Sequence, residues 1–471
     1  MTPVPDKWAW STVRKTVLFL FLTATLVLFT FDAFVTNRMT PRVVHSFLSG
    51  VLVGPPVKQN TQVSLLGESS MLVSQDLKQT NTSAASESIA AMATRSSWVE
   101  KLSPQARKFA EDELRKLGFE STEGHEFKSP FIITPVIYSN LTTPKAAISG
   151  NKSRSTKTIS CFNCLKWFTT TDLNLLNRDF TRCPYSECKF YSKWRGSADM
   201  VIIFPESHGV LPKSVRRPGQ IWTKAFWESP AHYGYPRNYQ PWRNVFNWTF
   251  TYRTDSDIFA PSNRLIWRHR SLLLSDREYL DIAKQKTRTA AWWVSNCPTV
   301  SRRKAFVQEM KKYIDVDIYG HCGSLKCARK DYVQCERKLT TTYKFYLSFE
   351  NSLCKDYVTE KFFRSFQYRS HIIPVVRGGL DYDRFFPKDI LVNAAHFKNA
   401  KELALYLKEL GSDTQRYAAM LKEKDRLVSW GRKYDWCDIC EKLHTNQQVK
   451  TIPDIKRWSH HETCYKPNDI T

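Results

Sequence analysis

The chain has 471 residues, of which 42% are hydrophobic and 13% aromatic, so it is not a disordered protein as a whole. Its 16 Gly and 22 Pro show no triplet period, which excludes a collagen-like chain. The 70 Lys and Arg outnumber the 45 Asp and Glu. The resulting net charge of +25 favours polyanions, phosphate-bearing ligands or an anionic membrane face.

The amino terminus is predicted to be a membrane anchor. Residues 17–31 are uncharged and almost wholly apolar, and the stretch reaches residue 35 with only Asp32 interrupting it. Because about 20 apolar residues span a bilayer, we predict a transmembrane signal anchor at 16–35. Basic residues precede it, which favours a cytosolic tail at 1–15 and a lumenal body. The alternative is a cleaved signal peptide, but no A-x-A-like cleavage site follows.

Residues 36–154 are predicted to form a lumenal stalk. Ser and Thr are frequent between residues 46 and 100, and such a composition buries too little apolar area to offset chain entropy. One helix is expected at residues 103–118, with Ser at its N-cap and Gly beyond its end. Glycosylation sequons in or near the stalk begin at Asn81, Asn140 and Asn151. A fourth, at Asn247, lies in a predicted strand and is a poorer candidate.

The remainder of the chain alternates predicted strands with predicted helices. The strands are short apolar runs at 200–204, 220–227, 246–252, 289–294, 316–319, 344–349 and 371–376. Helix-like segments include 301–314 and 357–366. Such alternation predicts an α/β architecture with parallel sheets. We predict two Rossmann-like domains that face a cleft, at 155–290 and 291–430, and a Cys-containing C-terminal tail at 431–471.

The segment 343–379 is the most informative part of the sequence. It reads as a buried strand, a polar loop, a helix and a second strand, and open α/β sheets bind nucleotides at such loops. Glu360 and Lys361 fall in the first turn of the helix, where Lys361 suits a pyrophosphate and Glu360 suits sugar hydroxyls. The alternative for both is a solvated helix start. Dinucleotide and P-loop motifs are absent from the sequence.

The same segment carries a resemblance to a known family. The sequence FENSLCKDYVTEKFF at 349–363 resembles the signature of the α1,3-fucosyltransferases, and TYRTDSDIFAP at 251–261 is similar to their second hallmark. WVSNC at 293–297, VDIYGHCG at 316–323 and WCDIC at 436–440 follow in the family's order. The resemblance covers roughly 155–445. The loops that follow residues 260 and 376 depart from the family pattern.

This resemblance implies a GT-B enzyme that transfers L-fucose from GDP-L-fucose to the 3-hydroxyl of GlcNAc with inversion. Glu228, in the sequence WESPAH, matches the family's general base, and His232 is a second candidate. Five residues match GDP-fucose contacts: Arg303, Asn351, Tyr357, Glu360 and Lys361. Arg303 matches the phosphate-binding arginine better than Arg302 does. No cofactor or metal is expected to be required, although a divalent cation would stimulate by shielding GDP.

The resemblance also implies a location and an acceptor. We expect a single-pass type II protein of the Golgi membrane with a lumenal catalytic part, a glycoprotein N-glycan as acceptor and no nucleic-acid partner. The sequence RCPYSEC at 182–188 resembles the core-directed members, which favours the innermost GlcNAc of N-glycans. The alternative is a Lewis-type enzyme that acts on outer chains.

Two alternatives of another class remain open. A metal-dependent GT-A glycosyltransferase would bind its cation through a D-x-D triplet, and the chain has two such triplets, Asp255–Asp257 and Asp381–Asp383. A non-catalytic Golgi lectin would bind glycans on aromatic faces. Its candidate tryptophans are Trp222, Trp242 and Trp248.

The oxidation state expected for the cysteines depends on the cellular compartment. A lumenal protein oxidises its paired thiols, so we expect most of the 12 cysteines to form disulfides. A bridge from Cys437 or Cys440 to a distant cysteine is expected to tie the tail to the nucleotide-binding half, worth about 2–4 kcal/mol. The alternative is a zinc site that combines this pair with Cys161 and Cys164.

Overall fold

The structure is a computed structural model. It describes residues 91–93, 119–120, 127–133, 136–138, 155–164, 168, 180, 185–204, 211–212, 216–233, 240–328, 331–429, 436–446 and 450–470. All of them belong to the second of the chain's two units, Ser64–Thr471. The predicted anchor, the helix expected at 103–118 and the sequons at Asn81, Asn140 and Asn151 lie outside the described residues. None of the described helices is long and apolar enough to cross a membrane.

The described strands are numbered in chain order. They are β1 (Ala91–Ala93), β2 (Phe119–Glu120), β3 (Ile132–Ile133), β4 (Val136–Tyr138), β5 (Lys157–Phe162), β6 (Cys188–Tyr191), β7 (Met200–Ile203), β8 (Ile221–Phe226), β9 (Trp248–Thr251), β10 (Ile258–Phe259), β11 (Leu265–Arg268), β12 (Arg288–Trp293), β13 (Val316–Tyr319), β14 (Tyr343–Phe349), β15 (Ile373–Arg377), β16 (Val392–Asn393) and β17 (Leu427–Ser429).

The described α-helices are numbered in the same way. They are α1 (Pro230–Tyr233), α2 (Asp276–Gln285), α3 (Arg303–Met310), α4 (Tyr332–Thr342), α5 (Glu360–Phe363), α6 (Tyr382–Phe385), α7 (Ala400–Ser412), α8 (Thr414–Asp425), α9 (Trp436–Thr445) and α10 (Ile455–His460). Short 3₁₀ turns occur at Gln240–Trp242, Arg270–Leu272, Arg364–Phe366 and Ala394–His396.

The first large sheet is parallel throughout, in the order β10-β9-β8-β7-β5-β6. Every residue of β7, β8 and β9 is buried, as expected for strands that are covered on both faces. Helix α9, from the predicted C-terminal tail, packs Trp436 and Ile439 into the core on one side of this sheet. The tail therefore contributes to the core of the first half.

The second large sheet is also parallel, in the order β13-β12-β14-β15-β16. Residues of α3, α7 and α8 pack with its strands in one hydrophobic core. All seven predicted strands coincide with observed strands of the two sheets, and the predicted helix at 301–314 contains α3. The prediction of parallel α/β sheets is confirmed.

The structure differs from the predicted elements in two places: the start of one helix and the range predicted as stalk. The helix expected from residue 357 begins at Glu360, because Thr359 has an extended backbone. Asp356, earlier in the loop, adopts a left-handed φ of 59°, and its carboxylate accepts hydrogen bonds from Thr254. Strands β2 and β3, inside the range predicted as stalk, pair with β11 in a smaller sheet. The domain boundaries themselves stay a prediction.

Disulfide bonds join cysteines both near to each other and distant in sequence, with separations from 3 to 252 residues. They are Cys161–Cys164, Cys188–Cys440, Cys297–Cys322, Cys327–Cys335 and Cys354–Cys464. No free cysteine occurs in the described part of the chain, and Cys437 is also disulfide-bonded. All four cysteines of the zinc alternative are disulfide-bonded, which does not favour a zinc site there.

The expected partner of the WCDIC pair is also corrected for Cys440. This residue is bonded to Cys188 in β6, so it ties the tail to the first half and not to the nucleotide-binding half. The tie to the second half is made by Cys464, which is bonded to Cys354 in the loop after β14. Sequence spacing contains no information about which strand ends the folded tail will reach.

A buried group of charges lies beside α8. Lys286 is 5% exposed and donates to the carbonyls of Thr340 and His371. The Lys424 ammonium is 2.6 Å from a carboxylate oxygen of Asp425, which also lies 2.9 Å from His371. Burial, reinforced by the charge of Lys424 and opposed by Asp425, lowers the pKa of Lys286 to about 7.

This pKa predicts a rise in stability with pH. In the unfolded chain Lys286 titrates near ~10.4, so between pH ~7 and ~10 the unfolded state binds more protons than the folded state. The free energy of unfolding should then increase by up to about 1.4 kcal/mol per pH unit in this window. Lys286→Met should flatten that slope in urea unfolding at pH 7, 8 and 9. The control is Lys284→Met, an exposed neighbour. Equal slopes in the two variants would contradict the prediction.

Candidate active site

The predicted site residues follow strands of the two parallel sheets. Glu228 lies two residues after β8 in the first sheet, and Asn351 and Tyr357 lie in the loop that follows β14 in the second. We call residues 350–359, between β14 and α5, the donor loop. Open parallel sheets bind their ligands beyond the carboxyl ends of the strands, which is where both segments lie.

The carboxylate of Glu228 is fixed through one of its two oxygens. Its Oε1 accepts hydrogen bonds from the backbone N–H of Ser229 at 2.9 Å, from Asn351 Nδ2 at 3.1 Å and from the hydroxyl of Tyr357. No described residue donates to its Oε2. The predicted base of the first half is therefore held by two predicted donor-site residues of the second half.

Tyr357 is buried in a small aromatic cluster. Its ring centroid lies 5.1 Å from that of Tyr252 in an edge-to-face arrangement, and Phe226 completes the cluster. Burial, with the nearby carboxylates of Glu350 and Glu228, raises the pKa of Tyr357 well above its ordinary value. The phenol consequently stays protonated and remains a hydrogen-bond donor to Glu228.

A second carboxylate, Glu350, holds the start of α5. It is fully buried and accepts hydrogen bonds from the backbone N–H of Thr359 at 2.8 Å and from its hydroxyl at 2.9 Å. Lys361 Nζ lies 3.3 Å from the same carboxylate. Burial raises the pKa of Glu350, although the positive charge of Lys361 opposes this. Sequence reasoning missed Glu350, whose only signal is its place inside the signature.

Lys361 is a permanent cation at the edge of the site. Its side chain is 18% exposed, and Nζ also lies 3.2 Å from a carboxylate oxygen of Glu360, whose own side chain is exposed. Burial lowers the pKa of Lys361, but the carboxylates of Glu350 and Glu360 outweigh it and raise the pKa to about 12. The structure thus places both predicted residues of the first helical turn together, with their charges paired.

Arg303 and Arg302 differ sharply in environment. Arg303 is 3% exposed, and its two terminal nitrogens donate to the carbonyls of Phe349 at 2.7 Å and Asn296 at 3.0 Å. Its Nε has no hydrogen-bond partner among the described residues. Burial, opposed by the charge of Glu350, lowers the pKa of Arg303. Arg302, at the start of α3, is exposed. Contact of Arg303 with the donor stays a prediction.

Further polar contacts hold the donor loop against the first sheet. The Ser229 hydroxyl donates to the Ser352 hydroxyl at 2.6 Å, and both side chains are buried. The backbone N–H and hydroxyl of Thr254 donate to Asp356 at 3.0 and 2.7 Å. Sequence reasoning missed these residues because only the fold brings residues so distant in sequence together.

The carboxylates of both D-x-D triplets contact other groups of the protein. Asp255 accepts from Arg253 at 2.6 and 2.8 Å and from Lys355 at 3.1 Å. Asp257 lies 2.6 Å from Lys450 Nζ. In the second triplet, Asp381 accepts from the backbone of Arg384, and Asp383 lies 2.7 Å from His396. These contacts do not favour a divalent-cation site at either triplet.

The structure does not favour the roles suggested for several other candidates from the sequence. Trp222, Trp242 and Trp248 are buried, so they do not offer the aromatic surface that the lectin alternative requires. Asn247 is also buried, and its amide donates to the carbonyl of Lys450, which makes it a poor glycosylation site. The second base candidate, His232, is exposed in α1.

Two family models match the two halves of the chain in sequence. Residues 154–263 match the N-terminal domain of fucosyltransferases, and residues 283–458 match the C-terminal domain of glycosyltransferase family 10 (fucosyltransferase). A crystal structure of alpha1,3-fucosyltransferase with GDP-fucose aligns with 68% of this chain and 95% of that chain, at 19% identity and a TM-score of 0.41.

Three curated relatives are each 35% identical to the chain. Glycoprotein 3-alpha-L-fucosyltransferase A of Drosophila melanogaster aligns over 59% of this chain and 55% of its own length. Alpha-(1,3)-fucosyltransferase C of the same species aligns over 62% and 73%. The 4-galactosyl-N-acetylglucosaminide 3-alpha-L-fucosyltransferase FUT5 of Gorilla gorilla gorilla aligns over 55% and 66%. The chain thus spans little more than half of the first relative and about two thirds or more of the others.

Proposed function

Because the chain belongs to the fucosyltransferases of glycosyltransferase family 10, we propose that it transfers L-fucose from GDP-L-fucose to the 3-hydroxyl of a GlcNAc in glycoprotein glycans, with inversion. One observation carries the proposal. The carboxylate of Glu228 is fixed beside the donor loop by Asn351 and Tyr357, and one of its oxygens accepts from no described residue.

The proposed chemistry assigns Glu228 as the general base. The oxygen of the acceptor hydroxyl bonds to the anomeric carbon of fucose while its proton passes to Glu228. The bond from that carbon to the β-phosphate oxygen breaks, and its electron pair leaves on GDP. The leaving diphosphate gains negative charge, which the cations Lys361 and Arg303 would stabilise. Glu360 would accept hydrogen bonds from donor hydroxyls, as its exposed carboxylate permits.

The acceptor we propose is the innermost GlcNAc of N-glycans. The support is the RCPYSEC sequence at 182–188 together with the similarity to a Drosophila enzyme that is named for glycoproteins. The second candidate is an outer-chain N-acetyllactosamine, which is supported by the similarity to an enzyme named for 4-galactosyl-N-acetylglucosaminides. In the first acceptor the fucosylated GlcNAc is linked to asparagine. In the second acceptor the fucosylated GlcNAc carries a galactose.

We also propose the location that the sequence favours. The apolar segment at 16–35 and the basic residues before it support a single-pass type II protein of the Golgi membrane with a lumenal catalytic part. Disulfides such as Cys188–Cys440 are expected in an oxidising compartment and support the same location. Asn81, Asn140 and Asn151 would then be exposed to the glycosylation machinery.

A defined glycan panel tests the function and the acceptor together. The protein is incubated with GDP-fucose and either a core N-glycan without galactose or free N-acetyllactosamine, and products are read by mass spectrometry with GDP release in parallel. We expect one fucose to be added to the core glycan, at the asparagine-linked GlcNAc. Addition to N-acetyllactosamine alone would favour the second acceptor. GDP release that depends on neither glycan would contradict fucosyl transfer.

Metal independence gives a second expectation. Because the carboxylates of both D-x-D triplets contact protein partners, we propose that the leaving group is stabilised by cationic side chains without a metal. Transfer should persist in EDTA, while Mn²⁺ should raise turnover modestly by shielding released GDP. Complete loss in EDTA that only Mn²⁺ restores would instead support a metal-dependent enzyme.

Replacing the proposed base gives a third expectation. Glu228→Gln keeps the shape and Oε1 but cannot accept a proton, so transfer should fall about 10²- to 10⁴-fold. GDP affinity, measured by calorimetry, should stay within a few-fold. The matched control is Glu309→Gln, a half-buried glutamate of α3 that pairs with Lys312. A Glu228→Gln variant with half of the wild-type turnover would remove Glu228 from the role.

A further inference from the structure

The base of the proposed reaction is held by residues of the other half of the molecule. Glu228 follows β8 of the first sheet, whereas Asn351 and Tyr357 belong to the donor loop that follows β14 of the second. Asn351 Nδ2 donates to Glu228 Oε1 at 3.1 Å, and the Tyr357 hydroxyl donates to the same oxygen. Both residues were expected from the family resemblance to contact GDP-fucose, which leaves their contact with the base unexplained.

All three donors converge on one carboxylate oxygen. The Ser229 N–H is the third, at 2.9 Å, so Oε1 is fully engaged while Oε2 receives no hydrogen bond from any described residue. A carboxylate held in this way has one orientation, with a single oxygen available for a proton. This asymmetry suits a general base, because the free oxygen can come within hydrogen-bond reach of a reacting hydroxyl.

The two side chains are themselves fixed in a donating orientation. The amide oxygen of Asn351 is buried and has no hydrogen-bond partner among the described residues, so the amide is oriented by its donation to Glu228 alone. A reversed amide would place its oxygen against a carboxylate oxygen. Tyr357 is 2% exposed, and its packing against Tyr252 fixes the ring that carries the donating hydroxyl.

From this geometry we propose that Asn351 and Tyr357 are positioning residues for Glu228. They anchor Oε1 and leave Oε2 to take the proton of the acceptor hydroxyl. This inference rests on the proposed function and adds a role in acceptor activation to a loop that the resemblance assigned to the donor. In the transfer step, the acceptor oxygen bonds to the anomeric carbon, its proton goes to Oε2, and the electron pair of the broken bond leaves on GDP.

Tyr357→Phe tests the inference, because it removes one hydroxyl and keeps the ring in its aromatic cluster. A hydrogen bond to a charged group is worth a rate factor of about 10 to 100, so kcat should fall by that factor while the KM for GDP-fucose and GDP affinity stay unchanged. The matched control is Tyr382→Phe. Tyr382 is also fully buried, and its hydroxyl has no hydrogen-bond partner among the described residues, so its removal should leave kcat unchanged.

The decisive measurement is a double-mutant cycle with Glu228→Gln. If Tyr357 acts through the base, Tyr357→Phe in the Glu228→Gln protein should change the residual kcat by less than about threefold. The same fold loss in both backgrounds, or a raised KM for GDP-fucose, would overturn the positioning role and return Tyr357 to the donor. Wild-type kcat in Glu228→Gln would overturn this inference and the assignment of the base together. Thermal unfolding of each variant establishes that the full chain is folded.

Discussion

The contact between the Glu228 turn and the donor loop is the interaction on which the candidate site depends. Glu228 and its neighbour Ser229 bind three side chains of the loop, Asn351, Ser352 and Tyr357. These groups are largely shielded from water. A buried polar group that loses its hydrogen bond costs about 1–3 kcal/mol. The base, the donor loop and the two sheets that carry them are therefore correctly placed only together, and a change in one member is felt by the others.

The loop is also held from its other side by contacts that leave little freedom. Cys354 is bonded to Cys464 of the C-terminal segment, while the two ends of the loop are joined to each other by the hydrogen bond from Thr359 to Glu350. Gly379, two residues after β15, packs so closely on the backbone of Cys354 that any Cβ there would clash. The donor loop is therefore compressed between the first sheet, the C-terminal segment and β15. Its conformation therefore depends on packing against these neighbours as well as on its own internal hydrogen bonds.

Sequence patterns predicted the parts of the molecule that local information determines. The run 200–204 is continuously apolar and the run 344–349 largely so, because strands of a covered parallel sheet are buried on both faces, and both were found correctly. Glu228 and Asn351 were selected by resemblance, but their contact was not foreseen, since they are 123 residues apart. The Cys188–Cys440 bond was missed for the same reason, as its cysteines are 252 residues apart. Such pairings depend on which strand ends become neighbours, and residue periodicity does not encode that.

The two glutamates of the site illustrate how environment separates roles that residue type alone does not. Glu350 is fully buried, and its carboxylate pairs with the cation Lys361 at the start of α5. Glu228 is half-buried and, among the described residues, receives only neutral donors, which fix a carboxylate without cancelling its charge. The different surroundings thus suit Glu350 to a structural role and Glu228 to the role of general base. Because two of the three neutral donors come from the loop that the family signature defines, the element expected to bind the sugar nucleotide also orients the group expected to activate the acceptor.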